Sequence, residues 1–165
     1  MRTIMRTNLN SVRDLATQAV TFLALCALLA LCASNVAVAK NHEVKLLTAD
    51  SNGQTMIMSP GYLKIAKGDT VTFIPADVTH NVESIAIPAS AKKFTSTMGE
   101  KFSYTFDEQG VYLYKCTPHF VMGMLGVIQV DDANNLADVQ KQWDTVGAGV
   151  VMNKERVANY LAQVK

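Results

Sequence analysis

Between Glu43 and Val130 the chain consists of short runs of β-branched and aromatic residues, each ended by residues that favour turns. The run Thr70–Ile74 stops at Pro75, and an Asn52-Gly53 pair of hairpin type follows another alternating run. Strands this short bury a core only when several of them pack as facing sheets. The pattern therefore predicts a mainly β fold, a Greek-key β-sandwich.

Eight stretches carry this strand pattern. We predict strands at Val44–Thr48, Met56–Met58, Leu63–Ile65, Thr70–Ile74, His80–Ser84, Phe102–Phe106, Val111–Lys115 and Leu125–Val130. The intervening segment Ile85–Glu100 shows no regular pattern, so we predict a long connecting loop there.

After Asp132 the spacing of apolar residues changes to the three and four positions that are typical of helices. The first helical face consists of Leu136, Val139 and Trp143. The second helix is predicted to follow Asn153, a good capping residue, and its apolar face consists of Val157, Tyr160, Leu161 and Val164. About 30 residues cannot bury a core of their own. We therefore predict two C-terminal α-helices, an extension at 134–165 packed on a sandwich at 40–133.

Residues 1–39 have the three parts of a secretory signal peptide. Three arginines precede a stretch without charge from Ala19 to Ala39, and the stretch closes with Ala37-Val38-Ala39. This pattern predicts export to the periplasm with cleavage after Ala39, and no stable membrane association afterwards. The alternative is an uncleaved anchor, because 19–39 is just long enough to span a bilayer.

Cleavage would leave 12 basic and 13 acidic residues, a balance that argues against a nucleic-acid-binding protein. Cys26 and Cys32 would leave with the signal, so the exported chain would keep Cys116 alone. A disulfide within the exported chain is therefore excluded. A single cysteine in an oxidising compartment is expected to be buried, bound to a metal or catalytic.

Cys116 begins a nine-residue stretch that also contains His119, Met122 and Met124, and His80 lies 36 positions earlier. Two imidazoles, a thiolate and a weakly bound methionine are the donors of a blue-copper electron-transfer site. The residues alone leave open whether Met122 or Met124 is the axial donor. Two other functions also stay open: a cysteine hydrolase with Cys116 as nucleophile and a histidine as base, and a copper chaperone or storage module without redox turnover.

Four stretches resemble the cupredoxins, and within that family the pseudoazurin group, whose two C-terminal helices this chain also matches. They are Gly68–Pro75, His80–Glu83, Gly110–Tyr112 and the loop Cys116–Met124. The resemblance implies one type 1 copper per chain. The ligands that it implies are His80, Cys116, His119 and Met124.

The resemblance also suggests roles for neighbouring residues. Met124 stands eight positions after the cysteine, as in plastocyanins and pseudoazurins, whereas the shorter amicyanin-like spacing would select Met122. Asn81 is expected to form a hydrogen bond near the cysteine sulfur, and Met56 is expected to pack near the exposed histidine, His119.

The implied function is that of a soluble, monomeric periplasmic electron carrier, not an enzyme. It would cycle between Cu(I) and Cu(II) and pass electrons to a redox partner such as nitrite reductase in denitrification. The partner is expected to dock on an apolar patch around His119, with Lys115, Lys92 and Lys93 at its rim. Related proteins carry lysines at some positions that are uncharged here, namely Val78, Thr95 and Thr97.

Cleavage after Ala39 would place His42 third in the mature chain, behind Lys40 and Asn41. An α-amino nitrogen, two amide nitrogens and an imidazole can surround Cu(II) in a square plane. The sequence therefore predicts a second, adventitious copper site at the mature terminus.

Overall fold

Eight β-strands form two four-stranded sheets in residues 38–165, the part of the chain that the computed structural model describes. The first sheet consists, in spatial order, of β2 (Thr55–Ser59), β1 (Asn41–Ala49), β4 (Thr70–Pro75) and β6 (Phe102–Thr105). The second consists of β3 (Tyr62–Ile65), β8 (Leu125–Val130), β7 (Gly110–Lys115) and β5 (Glu83–Ala86). The predicted mainly β sandwich is confirmed.

The core lies between the two sheets because alternate residues of each strand face inward. In the first sheet β1 runs parallel to β4, with Val44 opposite Phe73, and both side chains are buried. The ring of Phe73 meets Tyr114 of β7 edge to face, with 5.2 Å between the ring centroids. This contact joins the first sheet to the second.

The strands β7 and β8 are buried on both faces, which explains their nearly continuous apolar sequence. Their inner side chains enter the core between the sheets, and their outer side chains are covered by two helices, α1 (Leu136–Val146) and α2 (Glu155–Leu161). The outer layer contains Val111, Leu113, Leu125 and Val127 of the strands and Val139, Val157 and Leu161 of the helices. The predicted pair of C-terminal helices is confirmed.

Asn135, the residue before α1, does not cap the helix with its side chain. Its Oδ1 accepts a hydrogen bond from the Val111 backbone N–H at 2.6 Å, and its Nδ2 donates to the Val111 carbonyl at 3.0 Å. The asparagine thus pairs with β7 as a neighbouring strand would. It fixes the start of the helical extension against the strand that leads to Cys116.

The prediction of a strand at His80–Ser84 is wrong at its start, because β5 begins at Glu83 and continues to Ala86. The carbonyls of His80 and Val82 accept hydrogen bonds from Gly99 and Ser96, which lie in the loop between β5 and β6. His80 therefore lies in irregular backbone, not in a strand. Because β5 continues to Ala86, the loop that was predicted to begin at Ile85 begins after Ala86.

Most of the predicted signal peptide, residues 1–37, lies outside the described residues. Within 38–165, neither helix has the length and apolar character needed to cross a bilayer.

Candidate metal centre

The loop between β7 and β8 is closed by a backbone hydrogen bond between its two ends. Cys116 follows β7 directly, Met124 precedes β8, and the Cys116 N–H donates to the Met124 carbonyl at 2.9 Å. Both side chains are fully buried in the core between the sheets. The pairing of two strands therefore places a thiol and a thioether side by side.

A short 3₁₀ turn, Phe120–Met122, reverses the direction of the chain in this loop. The His119 carbonyl accepts hydrogen bonds from the N–H groups of Met122 at 3.0 Å and Met124 at 3.2 Å. Gly123 has a φ of +75°, and a Cβ there would lie 2.6 Å from the Met152 carbonyl oxygen. Only glycine fits this reversal.

Three donor atoms converge on one point: Cys116 Sγ, His80 Nδ1 and His119 Nδ1. The two Nδ1 atoms are 3.2 Å apart, and the sulfur is 3.8 Å from His80 Nδ1 and 3.4 Å from His119 Nδ1. Of these three side chains only His119 is partly exposed, and its ring meets the ring of His80 at 4.9 Å between centroids. Two nitrogens and a sulfur arranged in this way suit a metal that accepts both soft and imidazole donors.

Hydrogen bonding on the far side of the His80 ring determines its tautomer. The Thr48 hydroxyl donates to Asp77 Oδ2 at 2.7 Å, so its oxygen is free to accept a hydrogen bond from His80 Nε2 at 3.0 Å. The proton therefore resides on Nε2, and the lone pair of Nδ1 faces the other two donors. A second group that orients a ligating imidazole in this way is typical of metal sites.

Asp77 is in turn fixed as a carboxylate by its neighbours. The hydroxyl and N–H of Thr79, together with the hydroxyl of Thr48, hold the pKa of Asp77 well below its usual range. Burial lowers the pKa of His80, which favours the neutral imidazole that a metal requires. The carboxylate also lies 3.4 Å from His80 Nε2.

Burial raises the pKa of the Cys116 thiol, although the backbone N–H groups of Asn81 and His119 act in the opposite direction. A buried thiol with a raised pKa is less reactive as a nucleophile than an exposed one.

The side chain of Asn81 joins the segment after His80 to the segment after Cys116. Its Oδ1 accepts a hydrogen bond from the Thr117 N–H at 2.8 Å, and its Nδ2 donates to the Thr117 hydroxyl at 3.1 Å. That hydroxyl donates to Glu83 Oε2 at 2.8 Å, and the same carboxylate oxygen lies 3.4 Å from Lys115 Nζ. These hydrogen bonds connect the segment that contains His80 to the segment that contains Cys116, although the two residues are distant in the sequence.

The two candidate axial methionines have different surroundings. Met124 is fully buried in the cluster that also holds Cys116, whereas Met122 is only partly buried. The carbonyl of Met122 accepts a hydrogen bond from the side chain of Asn153 at 3.0 Å. Asn153 was expected to cap α2, and that expectation is wrong because the side chain bonds the loop instead.

Sequence reasoning did not identify Thr48, Asp77 or Arg156 as parts of this centre. Thr48 and Asp77 touch His80, and the buried Arg156 donates to the Gly123 carbonyl next to Met124. The only signal for Asp77 was its position three residues before His80. The other two are distant in sequence from every donor, so no local pattern reveals them.

The residues of the predicted second copper site, 40–42, form hydrogen bonds with Asp69 and β4 instead of surrounding a common point. His42 Nε2 lies 2.8 Å from Asp69 Oδ2, and the Lys40 carbonyl accepts a hydrogen bond from the Thr70 N–H at 2.8 Å. Asn41 begins β1 and pairs with β4. A square-planar complex at these residues would require the start of the strand to detach.

Exposed apolar side chains occur on the predicted docking loop and on neighbouring segments. Val121 is 50 % exposed on the loop itself, and the others are Val78, Met98, Val151 and Met152. Lys115 Nζ lies 5.3 Å from the centre of the Phe120 ring.

Lys92 and Lys93 are exposed, but the Lys92 carbonyl accepts a hydrogen bond from the Tyr104 hydroxyl at 2.7 Å, and Lys92 lies beside Glu108, near the end of β7 opposite to Cys116. The prediction that Lys92 lies at the rim of the His119 patch is therefore wrong.

Comparison with known proteins gives concordant matches. Residues 43–131 match the family described as copper binding proteins, plastocyanin/azurin family. A pseudoazurin from Paracoccus pantotrophus is 41 % identical over 120 residues, which are 72 % of this chain and 81 % of that protein. The crystal structure of native pseudoazurin from Hyphomicrobium denitrificans is 31 % identical with a TM-score of 0.67, covering 76 % of this chain and 98 % of that one. The pseudoazurin structure from Methylobacterium extorquens AM1 is also 31 % identical, with a TM-score of 0.65 and coverage of 76 % and 99 %.

The Asn81 bridge leads to a stability prediction. Replacing Asn81 with alanine removes two hydrogen bonds and leaves the Thr117 N–H without its acceptor, so the metal-free chain should lose about 1–3 kcal/mol of unfolding free energy. Urea unfolding followed by circular dichroism measures the loss. The matched control is Gln54→Ala, which removes an exposed amide side chain and should change little. Equal stability of the two variants would contradict the bridge.

Proposed function

The chain belongs to the plastocyanin/azurin family of copper-binding proteins, as an electron-transferring cupredoxin of the pseudoazurin type, and from this premise we propose how its residues hold the metal. The ligands of the single type 1 copper are His80, Cys116, His119 and Met124. The observation that carries this proposal is the convergence of Sγ and two Nδ1 atoms within 3.2–3.8 Å of one another. When bound, copper supplies a centre that gains and loses one electron between Cu(II) and Cu(I).

The chain supplies a frame for the donors that exists without the metal. Thr48 fixes the His80 ring, Asn81 ties the two ligand segments together, and the β7–β8 ladder holds Cys116 beside Met124. Such a frame offers similar positions to both oxidation states. Because the donors move little between the two oxidation states, the reorganisation energy of electron transfer is low.

The choice of Met124 as the methionine that would hold the copper is supported by its burial and by its position directly before β8. Met122 lies within the 3₁₀ turn, where its carbonyl is bonded to Asn153. The side chain of Met122 is therefore partly exposed at the surface of the loop.

An electron carrier that transforms no substrate is supported over a cysteine hydrolase. Cys116 has no exposed surface, so a substrate carbonyl cannot reach its sulfur. A copper chaperone is supported less well for a related reason. Three of the four donors are fully buried, whereas a module that hands over its metal needs donors that a partner can reach.

We further propose that the protein is exported to the periplasm and cleaved after Ala39, which leaves a sandwich at 40–133 and a helical extension at 134–165. The basic start and uncharged stretch of residues 1–39 support export. The proposed acceptor is a redox enzyme such as nitrite reductase, which the resemblance to pseudoazurins suggests. The partly exposed His119 beside the exposed Val121 supports docking at this face.

The thiolate assignment predicts the effect of removing the sulfur. Copper-loaded protein should show an intense band at about 600 nm, and Cys116→Ser should abolish both that band and electron transfer. Absorption and stopped-flow reduction measure the two effects, and circular dichroism checks that the variant folds. His42→Ala changes a histidine outside the centre and should keep the band. A Cys116→Ser protein that stays intensely coloured would overturn the assignment.

The choice of axial ligand predicts different effects for the two methionines. Met124→Leu removes a weak donor to Cu(II), so the reduction potential should rise. Met122→Leu is the matched control, and its spectrum and potential should stay close to those of the unmodified protein. Cyclic voltammetry of both copper-loaded variants decides between them. The opposite pattern would show that the loop uses the shorter spacing.

A further inference from the structure

Arg156 of α2 is a charged side chain with only 7 % of its surface exposed. Its guanidinium donates three hydrogen bonds, all to backbone carbonyls. Nη1 lies 2.7 Å from the Met56 oxygen and 3.2 Å from the Gly123 oxygen, and Nη2 lies 3.0 Å from the Thr55 oxygen. No carboxylate within residues 38–165 forms an ion pair with it.

A buried charge without a counter-ion loses hydration that carbonyl dipoles replace only in part. An apolar side chain of similar size would avoid that cost, but it would leave the carbonyls of residues 55, 56 and 123 without this donor. The planar fork of a guanidinium can bond two separate segments in a fixed relation, which a flexible ammonium does less well. Here the fork joins the start of β2 to the ligand loop.

The same part of the C-terminal extension bonds three consecutive carbonyls of that loop. The Val121 carbonyl accepts from the N–H groups of residues 151 and 152 at 2.8 and 3.1 Å. The Met122 carbonyl accepts from Asn153, and the Gly123 carbonyl accepts from Arg156. The next residue is Met124, so the backbone that leads into the proposed axial ligand is held from outside the loop.

We propose that Arg156 is a positioning residue for the copper loop, which fixes the Gly123 carbonyl and thereby the place of Met124. The inference rests on the proposed role of Met124 as a ligand. Arg156 also contributes a buried positive charge next to the loop, which favours Cu(I), the state of lower charge. The geometric and the electrostatic effect can be separated by substitution.

The test compares Arg156→Met, Arg156→Lys and Lys154→Met. The first variant removes both fork and charge, the second keeps the charge, and the third removes an exposed charge two positions away. The measurements are amide hydrogen exchange of the metal-free protein and the reduction potential of the copper-loaded protein. Exchange of the metal-free chain does not depend on the ligand assignment.

In both Arg156 variants we expect the amides of Gly123 and Met124 to exchange at least about tenfold faster, with strand β4 unchanged. Because the loop is loosened in both variants and only Arg156→Met loses the charge, the potential of Arg156→Met should lie below that of Arg156→Lys. Lys154→Met should change neither quantity. Unchanged exchange of the loop amides in Arg156→Met, with only a loss of global stability, would overturn the proposal.

If Arg156→Met fails to fold, Asn153→Gly provides the second variant. Asn153 has a φ of +51°, which glycine adopts without strain, and the change removes only the bond to the Met122 carbonyl. Faster exchange of the loop amides would support positioning by the extension, and unchanged exchange would overturn it. Absence of the blue band in the unmodified protein would instead contradict the ligand assignment.

A separate observation concerns Asp69, a carboxylate with 3 % of its surface exposed at the turn before β4. Its Oδ1 accepts a hydrogen bond from the backbone nitrogen of Lys40 at 2.7 Å. Its Oδ2 contacts His42 Nε2 at 2.8 Å and the Ala66 N–H at 3.1 Å. Burial acts to raise the pKa of Asp69, but these bonds hold it below its usual value.

Lys40 is the residue that follows the proposed cleavage site, so cleavage would turn its backbone nitrogen into an α-ammonium. We propose that Asp69 is the receptor for this new terminus and stabilises the mature chain by a partly buried ion pair. The inference rests on cleavage after Ala39. It implies that the start of β1 becomes more firmly attached to β4 once the preceding residues are removed.

Chains that begin at Lys40 and at Ala39 test this proposal, each with Asp69 and with Asp69→Asn. The chain that begins at Lys40 should unfold about 3 °C higher than the one that begins at Ala39, and the difference should vanish with Asp69→Asn. An equal difference in both backgrounds would overturn the ion pair. Mass spectrometry of the exported full chain tests the cleavage site independently.

Discussion

The antiparallel pairing of β7 with β8 is the interaction on which the metal centre depends. Its register places Lys115 opposite Leu125, and the next bond outward joins Cys116 to Met124. Two proposed ligands therefore take their positions from a backbone ladder. The side chains of that ladder are buried except at Lys115, because the other sheet covers one face and the helices cover the other. Buried backbone hydrogen bonds are costly to break, which favours a fixed position for the two ends of the loop.

The strands, the helices and the donor residues could largely be predicted from the sequence because each has a local signal. Cys116, His119 and Met124 lie within one short loop, where spacing alone indicates a shared centre. His80 lies 36 positions before Cys116, so its assignment as a ligand depended on the resemblance, and its placement at the start of a strand was wrong. Its carbonyl pairs with Gly99 in a loop, and that pairing depends on contacts that no sequence period records.

The supporting polar groups escaped prediction because asparagine and arginine act here over long sequence separations. Asn135 and Asn153 both precede helices, where a capping role is the usual expectation. One instead bonds the end of β7, and the other bonds a carbonyl of the ligand loop. Helix capping is local and can be predicted from neighbours, whereas these bonds exist only after the extension has packed on the sandwich.

The centre is thus assembled from three connections that are each fixed by groups other than the metal. The Thr48 hydroxyl holds the imidazole of His80, Asn81 holds the segment after Cys116, and residues 151–156 hold the carbonyls before Met124. A donor that is held by its own protein partners moves little when the charge at the centre changes. The helical extension therefore has two roles that follow from one packing arrangement. It covers the outer face of β7 and β8. Through Asn153 and Arg156 it also fixes the carbonyl groups that precede Met124, and a loop fixed in this way lowers the reorganisation energy of electron transfer.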